Sequence, residues 1–374
     1  MKHADFVVVG GGIAGASVAY ELAAHGSVIL LEREPQCGYH TTGRSAALFT
    51  EAWEGPVIRS IAAAGREFFE SPPAGFSQVP LVSPRRLLLI GRKDQRESVL
   101  EAANEARTTI PLLEVVDGAE AQRMCPVLRS EYVDSALLEP TGHTIDVDAL
   151  LQGFLRGIRH RGGEVATSAG VTGISQVSGG WEIAAGGEDW SAATLVNAAG
   201  AWADIVAEMA GVRPVGLKPL RRTAFTFAPP VDVDVREWPA VIDIDEQFYF
   251  EPEGGQLLGS PADQTPSHPH DVRHEEIDVA LAIERIQRAT TLDISHVRRA
   301  WAGLRTFAPD RMPVVGPDPE VGDFIWLAGQ GGFGIMTSPT IARIAASLAV
   351  GGDVPPELPE HVESAILPAR LRVQ

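Results

Sequence analysis

Cysteine is scarce in this chain: Cys37 and Cys125 are the two in 374 residues. Two cannot build the disulfide framework of a small secreted domain, and neither stands in a metal-ligand spacing. Basic residues are short as well, 31 Lys and Arg against 49 Asp and Glu, for a formal charge of -18. Such a chain lacks the electrostatic footprint for nucleic acid and has no basic patch for anionic membranes. No apolar run reaches the ~20 residues that span a bilayer. The start carries no charged segment followed by a short apolar stretch of the secretory kind. Internal repeats and low-complexity tracts are missing too. These absences predict a cytoplasmic protein with no nucleic-acid partner and no integral membrane segment. Length and a 45% hydrophobic composition are enough for a large core, read as two interleaved domains.

What is present is concentrated at the start. Residues 5–34 read DFVVVGGGIAGASVAYELAAHGSVILLERE. The apolar run 6–9 predicts a buried strand, 14–24 a helix of small apolar residues, and 28–31 a second buried strand ending at Glu32. Gly10, Gly12 and Gly15 form G-x-G-x-x-G between the first strand and the helix, a dinucleotide fingerprint in its expected βαβ context. Gly10 permits the tight turn, Gly12 lets a pyrophosphate approach the backbone, and Gly15 lets the helix pack close. The helix start at Ala14 offers N–H groups and a positive dipole end to phosphate. Glu32 is placed to accept from ribose hydroxyls. The unit alone suits NAD or FAD.

Residues 36–49, QCGYHTTGRSAALF, are small and hydroxyl-rich with one cation, Arg44. Such a loop can lie against a cofactor through its hydroxyls and backbone N–H groups, and Gly43 with the residues after it can start a helix aimed at phosphate. Further on, helices are predicted over 57–69, 97–107, 119–124 and 147–160, the last capped by Asp146. Strands are predicted over 85–90, 136–138, 164–165 and 171–174. Residues 190–202, WSAATLVNAAGAW, give a strand over 194–196, a small-residue junction and a helix over 204–210. Residues 222–227 and 240–250 read as strands, 251–255 as a turn and 256–259 as a returning strand, so this part is antiparallel. His268, His270 and His274 read as an exposed loop rather than a metal site, and 278–291 as a solvated helix. The end, WAGLRTFAPDRMPVVG over 301–316, leads to a strand over 324–328 and then GQGGFGIMTSP, with a helix from about Ser338.

GGGIAGAS, the Glu32-Arg33 pair, GYHTTGRSAA, the 190–202 stretch and the G-L-R…G-x-G-G-x-G ending together resemble the flavoproteins of the D-amino acid oxidase group, with glycine and sarcosine oxidases. Within it the chain is most similar to the FAD-dependent D-arginine dehydrogenases, over essentially its whole length. The resemblance implies an α/β (α+β overall) fold. A Rossmann-like FAD-binding domain with a parallel sheet (1–79, 143–217 and 300–374) is interleaved with a substrate domain on a largely antiparallel sheet (80–142 and 218–299). It implies non-covalent FAD, since neither cysteine lies in the C-terminal cofactor stretch, and puts His40 near the flavin. The implied cofactor contacts are Gly10, Gly12, Ala14, Gly15, Glu32, Arg33, Thr41, Thr42, Gly43, Arg44, Ser45, Ala46, Ala47 and Leu48, then Val171 at the adenine end, Ala199, Gly200 and Gly303. Gly331, Gly332, Phe333, Gly334, Ile335, Met336 and Thr337 complete them.

For substrate, the resemblance assigns Arg222, Tyr249 and Arg305 to the carboxylate, which a planar guanidinium holds bidentately. The implied reaction is hydride transfer from Cα of a D-amino acid to flavin N5, then hydrolysis of the imine to a 2-oxo acid and ammonia. The pocket positions are Trp53, Leu87, Ala240, Ile242, Gly332 and Leu48. Here the chain departs from its relatives, which carry an acid at the position of Leu87, a tyrosine at that of Trp53 and a histidine at that of Leu48. Without the acid a cationic side chain loses its counter-ion, so neutral or apolar D-amino acids are expected, D-Pro-like secondary amines among them. Arg86 leaves an acidic substrate as a minor reading. Three alternatives stand: a glycine or sarcosine (N-methyl amino acid) oxidase, a non-catalytic flavin-binding subunit, and, on the first motif alone, an NAD-dependent dehydrogenase. The electron acceptor, whether quinone, another carrier or oxygen, is not legible.

Overall fold

The computed structural model describes residues 1–52, 55–107, 110 and 112–372. Its N-terminal strand Lys2–Val9 lies between Val28–Leu31 and Glu188–Asn197, parallel to both. Glu164–Ala166 extends the sheet beyond Val28–Leu31. The first half of Glu188–Asn197 pairs antiparallel with Gly180–Ala185, and its last residues pair parallel with Phe324–Ala328. Four parallel strands therefore end along one edge, and Gly10, Glu32, Ala198 and Gly329 follow their last residues. In an open α/β sheet, ligands bind in the crevice beyond such an edge.

Helices Ile13–Leu22, Pro56–Glu70, Val147–His160 and Gly334–Ala349 share one apolar core with this sheet, through Val18, Leu22, Ile61, Phe154, Ile341 and Ala345 against Val8, Leu30, Val196 and Leu327. The first half of the Ile13–Leu22 helix is mostly small residues, and where it carries the large Tyr20 the facing helix supplies a glycine. A Cβ on Gly157 would stand 2.3 Å from the Tyr20 ring. Asp146 caps the Val147–His160 helix, accepting from Ala149 N at 2.8 Å.

A second sheet runs in the order Lys218–Phe227, Gln256–Ser260, Tyr249–Glu253, Ala240–Asp243, Leu87–Gly91, Ser135–Glu139, Glu114–Asp117. Its pairs are antiparallel except Ala240–Asp243 with Leu87–Gly91. Val297–Phe307 pairs along the outer side of Lys218–Phe227. A domain boundary at residue 300 therefore falls inside a strand of the second sheet. That strand ends at Phe307, whose ring lies 2.2 Å from where a Gly331 Cβ would stand, so one element serves both layers. Three short strands, Leu48–Phe49, His143–Ile145 and Val82–Pro84, make a small third sheet.

Some elements differ from expectation. The stretch 240–250 is not one strand but two, because the chain reverses after Asp243. The buried Asp243 carboxylate accepts from Asp245 N at 3.1 Å, and Glu246 takes a left-handed φ of 54°. The expected turn at 251–255 shrinks to Gly254 and Gly255, both with positive φ, and residues 251–253 join the Tyr249–Glu253 strand. The helix after Phe324–Ala328, the last of the cofactor layer and followed only by the short Glu360–Ile366 helix, starts at Gly334, not Ser338, and contains Pro339. Pro339 offers no N–H to the Ile335 carbonyl, and the Ser338 hydroxyl bonds it instead at 2.9 Å. The expected solvated helix is Glu276–Ala289, and it buries Val279, Ala282, Ile286 and Ala289. No helix among the described residues is long and apolar enough to cross a membrane.

Candidate active site

The crevice opens into a cavity of about 610 Å³. At its nucleotide end, Gly10 has φ +108°, and a Cβ there would stand 2.5 Å from the Ala198 carbonyl oxygen. Gly15 is tighter still, its Cβ position 1.8 Å from the Gly10 carbonyl oxygen; it sets the helix against the strand without lining the cavity. The Ile13–Leu22 helix has no side-chain cap of its own, but Thr42 Oγ1 accepts from Ile13 N at 3.0 Å. Glu32 is buried and lines the cavity; its Oε2 accepts from Gly11 N at 2.7 Å and Oε1 from Glu34 N at 2.8 Å. These bonds fix the carboxylate at the end of its strand and leave lone pairs for ribose hydroxyls.

The loop after it holds itself together with its hydroxyls. Thr41 Oγ1 donates to the Leu304 carbonyl and Ser45 Oγ to the Thr41 carbonyl, each at 2.8 Å. Arg44 lines the cavity and is tied to protein, donating to the carbonyls of Val272 and Ala302 at 3.0 Å and to Asp271 at 2.5 Å. It acts as a strap between this loop and the second sheet. Ala46, Ala47 and Leu48 then form an apolar wall. Gly43 turns away, its N–H bonded to the Gly38 carbonyl at 2.7 Å. His40 lines the cavity too. Its Nε2 stands 2.9 Å from Glu34 Oε1 and its ring 4.7 Å from that of Trp202, beside Arg33 at the nucleotide end. Val171, Ala199, Gly200 and Gly303 line the cavity as well, joined by Tyr39, Trp202, Ile205 and Met209, which sequence reasoning missed.

At the other end Arg222, Tyr249 and Arg305 come together from three strands. Arg222 pairs with Gly303 across the strands, and Arg305 with Leu220. Arg222 is 6% exposed, and its Nε and Nη1 are buried without a hydrogen-bond partner. Burial, then the charge of Arg305, pushes its guanidinium down to about 10. Gly331, Gly332, Gly334, Ile335 and Met336 bring in the start of the last helix, which has no side-chain cap. A Cβ on Gly332 would be 2.8 Å from Arg305 Nη1. Thr337 does not line the cavity; its hydroxyl donates to the Phe333 carbonyl at 2.8 Å.

A smaller recess of about 50 Å³ continues past the arginines. It shares Ala46, Leu48, Arg222, Tyr249, Arg305, Gly332 and Met336 with the large cavity and adds Thr50, Ile242, Phe307, Phe333 and Glu251. Leu87 and Ala240 line neither, since both are buried in the sheet, with Leu87 Cδ1 2.1 Å from where a Gly142 Cβ would be. Trp53 lies outside the described residues. Glu251 was missed because the turn signal after it was placed too early; its i, i+2 spacing from Tyr249 was the signal that could have found it. Among the described residues no group of three or more His, Cys, Asp or Glu could hold a metal. His268 and His270 stack on each other at 4.2 Å.

A nucleotide crevice at parallel strand ends, continuous with the cluster of Arg222, Tyr249 and Arg305, defines a dinucleotide-dependent oxidoreductase. The chain belongs to the FAD-dependent oxidoreductase family known as DAO, whose pattern matches residues 5–348. The mitochondrial dimethylglycine dehydrogenase of Rattus norvegicus is 24% identical over 383 residues, 96% of this chain but 44% of that relative, so the chain spans under half of its length. The sarcosine oxidase subunit beta of Rhizobium meliloti is 26% identical over 344 residues, 85% of this chain and 77% of its own. The crystal structure of glycine oxidase from Geobacillus kaustophilus shares the fold at a TM-score of 0.84 and 20% identity, covering 94% of this chain and 96% of that one. FAD is accordingly the cofactor, and the side-chain-free approach at Gly10 and Gly12, Glu32 and the start of the Gly334–Ala349 helix, which has no side-chain cap, fit it.

Proposed function

We propose that the chain oxidatively deaminates D-amino acids with neutral side chains to 2-oxo acids and ammonia. The observation that carries this reading is Arg222, buried with two unpartnered guanidinium nitrogens beside Arg305 and Tyr249. A buried cation without a counter-ion is costly, and a substrate carboxylate relieves that cost for both arginines at once. Bound FAD supplies the two-electron acceptor for hydrogen leaving the carbon that bears the amine. The arginines fix the carboxylate, Tyr249 supplies a third donor, and the apolar wall of Leu48, Ile242 and Met336 excludes water. Leu48 offers no proton acceptor, so the ammonium proton leaves to solvent. The same apolar lining favours neutral over cationic side chains.

A second reading, glycine or an N-methyl amino acid as substrate, is supported by the sarcosine, glycine and dimethylglycine names among the relatives and by the small recess. Anaerobic mixing of the flavin-loaded protein with D- and L-amino acids, glycine and sarcosine separates the two. Fast loss of flavin absorbance with neutral D-amino acids, slow with D-Arg, is the expected result. Bleaching by sarcosine or glycine alone selects the second reading, and equal turnover of D-Arg and D-Leu removes the preference for neutral side chains.

A further inference from the structure

Glu251 has no role in the chemistry above, yet it is 2% exposed and lines the recess beyond the arginines. It lies two residues after Tyr249 on one strand, so strand alternation turns both side chains to the same face. Its Oε2 is buried with no hydrogen-bond partner, and among the described residues it forms no ion pair. A carboxyl group left this way lacks at least one partner that folding alone does not provide. Its surroundings explain how it is tolerated. Burial first, then the charge of Glu253, pushes it up to about 8, against the pull of Arg85. At neutral pH the group keeps its proton and offers an O–H donor together with an acceptor oxygen. Arg222, Arg305, Glu246 and Arg311 are the other charged groups that line the recess.

We infer that Glu251 is the end of a side-chain subsite that takes a neutral acceptor oxygen, an amide or hydroxyl, on a short substrate side chain. The inference rests on the reading of Arg222 and Arg305 as the carboxylate anchor. It sharpens the substrate class from neutral side chains to short polar neutral ones. The recess, at about 50 Å³, suits a side chain of that size.

Binding of unreactive carboxylates, read from the perturbed spectrum of the bound flavin, tests it without turnover. Succinamate and 4-methylpentanoate have the same shape, one ending in an amide and the other in two methyls. The wild type is expected to bind succinamate the more tightly, and Glu251→Leu to lose that preference by about 10-fold, the size of one hydrogen bond to a buried partner. Glu251→Gln, which keeps donor and acceptor, should retain it. Raising the pH past 8 should change the preference in the wild type, because the ionised group can only accept, and leave it unchanged in Glu251→Gln. An unchanged ratio in Glu251→Leu overturns the subsite alone. Arg222→Met is the control: equal weakening of both ligands supports the anchor, and unweakened binding overturns the anchor and the subsite with it.

Discussion

Arg221 and Arg222 are chain neighbours with opposite surroundings. Arg221 faces Asp278 at 2.8 Å, Asp263 at 3.8 Å and Glu275. Arg222, one residue on and on the other face of the strand, has no ion pair among the described residues. A residue kept charged and buried without a partner is placed for its ligand at a cost in stability. Arg222→Met should therefore lower kcat/KM by about 10²–10³-fold, the scale of losing one partner of a buried charge pair. The same change should raise the melting temperature of the protein without substrate. A fall in both would mean the guanidinium supports the fold rather than the substrate. Glu251 allows a similar test by pH. Its folded value is near 8 against an ordinary 4.5, so its contribution to stability is intact below the ordinary value and is lost as the pH rises through 8. Glu251→Gln removes that loss. The variant should melt with the wild type near pH 4 and above it by pH 9, the gap bounded by about 5 kcal/mol. A constant gap across that range would show that Glu251 stays ionised in the fold.

At the scale of elements, the turn before the last helix sets the position of Arg305. Gly332 has ordinary backbone angles, so alanine is allowed there by conformation; the obstacle is Arg305 Nη1, 2.8 Å from the new methyl. Gly332→Ala should push the guanidinium aside, raising KM about 10-fold or more while flavin content holds. An unchanged KM would mean that Arg305 gives way freely and binds little. The same elements show what was legible in the chain. The first βαβ unit and the Asp146 cap could be reached from residue types and spacing, because local pattern and final contact agree there; Arg222, Tyr249 and Arg305 lie on three separate strands, and only the family resemblance brought them together in advance. The hairpin at 240–253 could not be reached that way. Its reversal depends on the Asp243 carboxylate collecting the N–H groups of Asp245 and Gln247, local bonds that β-branched residues and aromatics on either side conceal. That slip hid Glu251. The start of the last helix was misplaced for a comparable reason: Pro339 reads as a boundary until the Ser338 hydroxyl is seen to cover the carbonyl it leaves open. Arg44 was read only as the one cation of a loop lying against the cofactor, because its partners at 271, 272 and 302 are remote in sequence.

At the scale of the molecule, the cofactor cavity is where distant parts of the chain meet. Its walls come from the first βαβ unit and the loop after it, from residues around 170 and 200, from the long strand ending at Phe307 and from the last helix. With FAD in place these parts share a partner, seated in a cavity of about 610 Å³. A ligand that binds the folded chain and not the unfolded one stabilises it by RT ln(1 + [L]/Kd), about 4 kcal/mol at a thousandfold excess over Kd. For a chain of this length that is a melting shift of about 5 °C. The deflavinated protein should therefore melt at least that much lower. Its melting temperature should climb with the logarithm of added FAD rather than saturate at one equivalent, because the linkage has no ceiling at full occupancy. AMP, which reaches only the Glu32 end, should give a smaller rise of the same form. A melting temperature indifferent to FAD would mean that the layers are held by their own contacts and that the cavity is not a joint between them. In that case the Arg44 strap, which ties the cofactor loop to the second sheet without any ligand, is the contact whose removal should separate them.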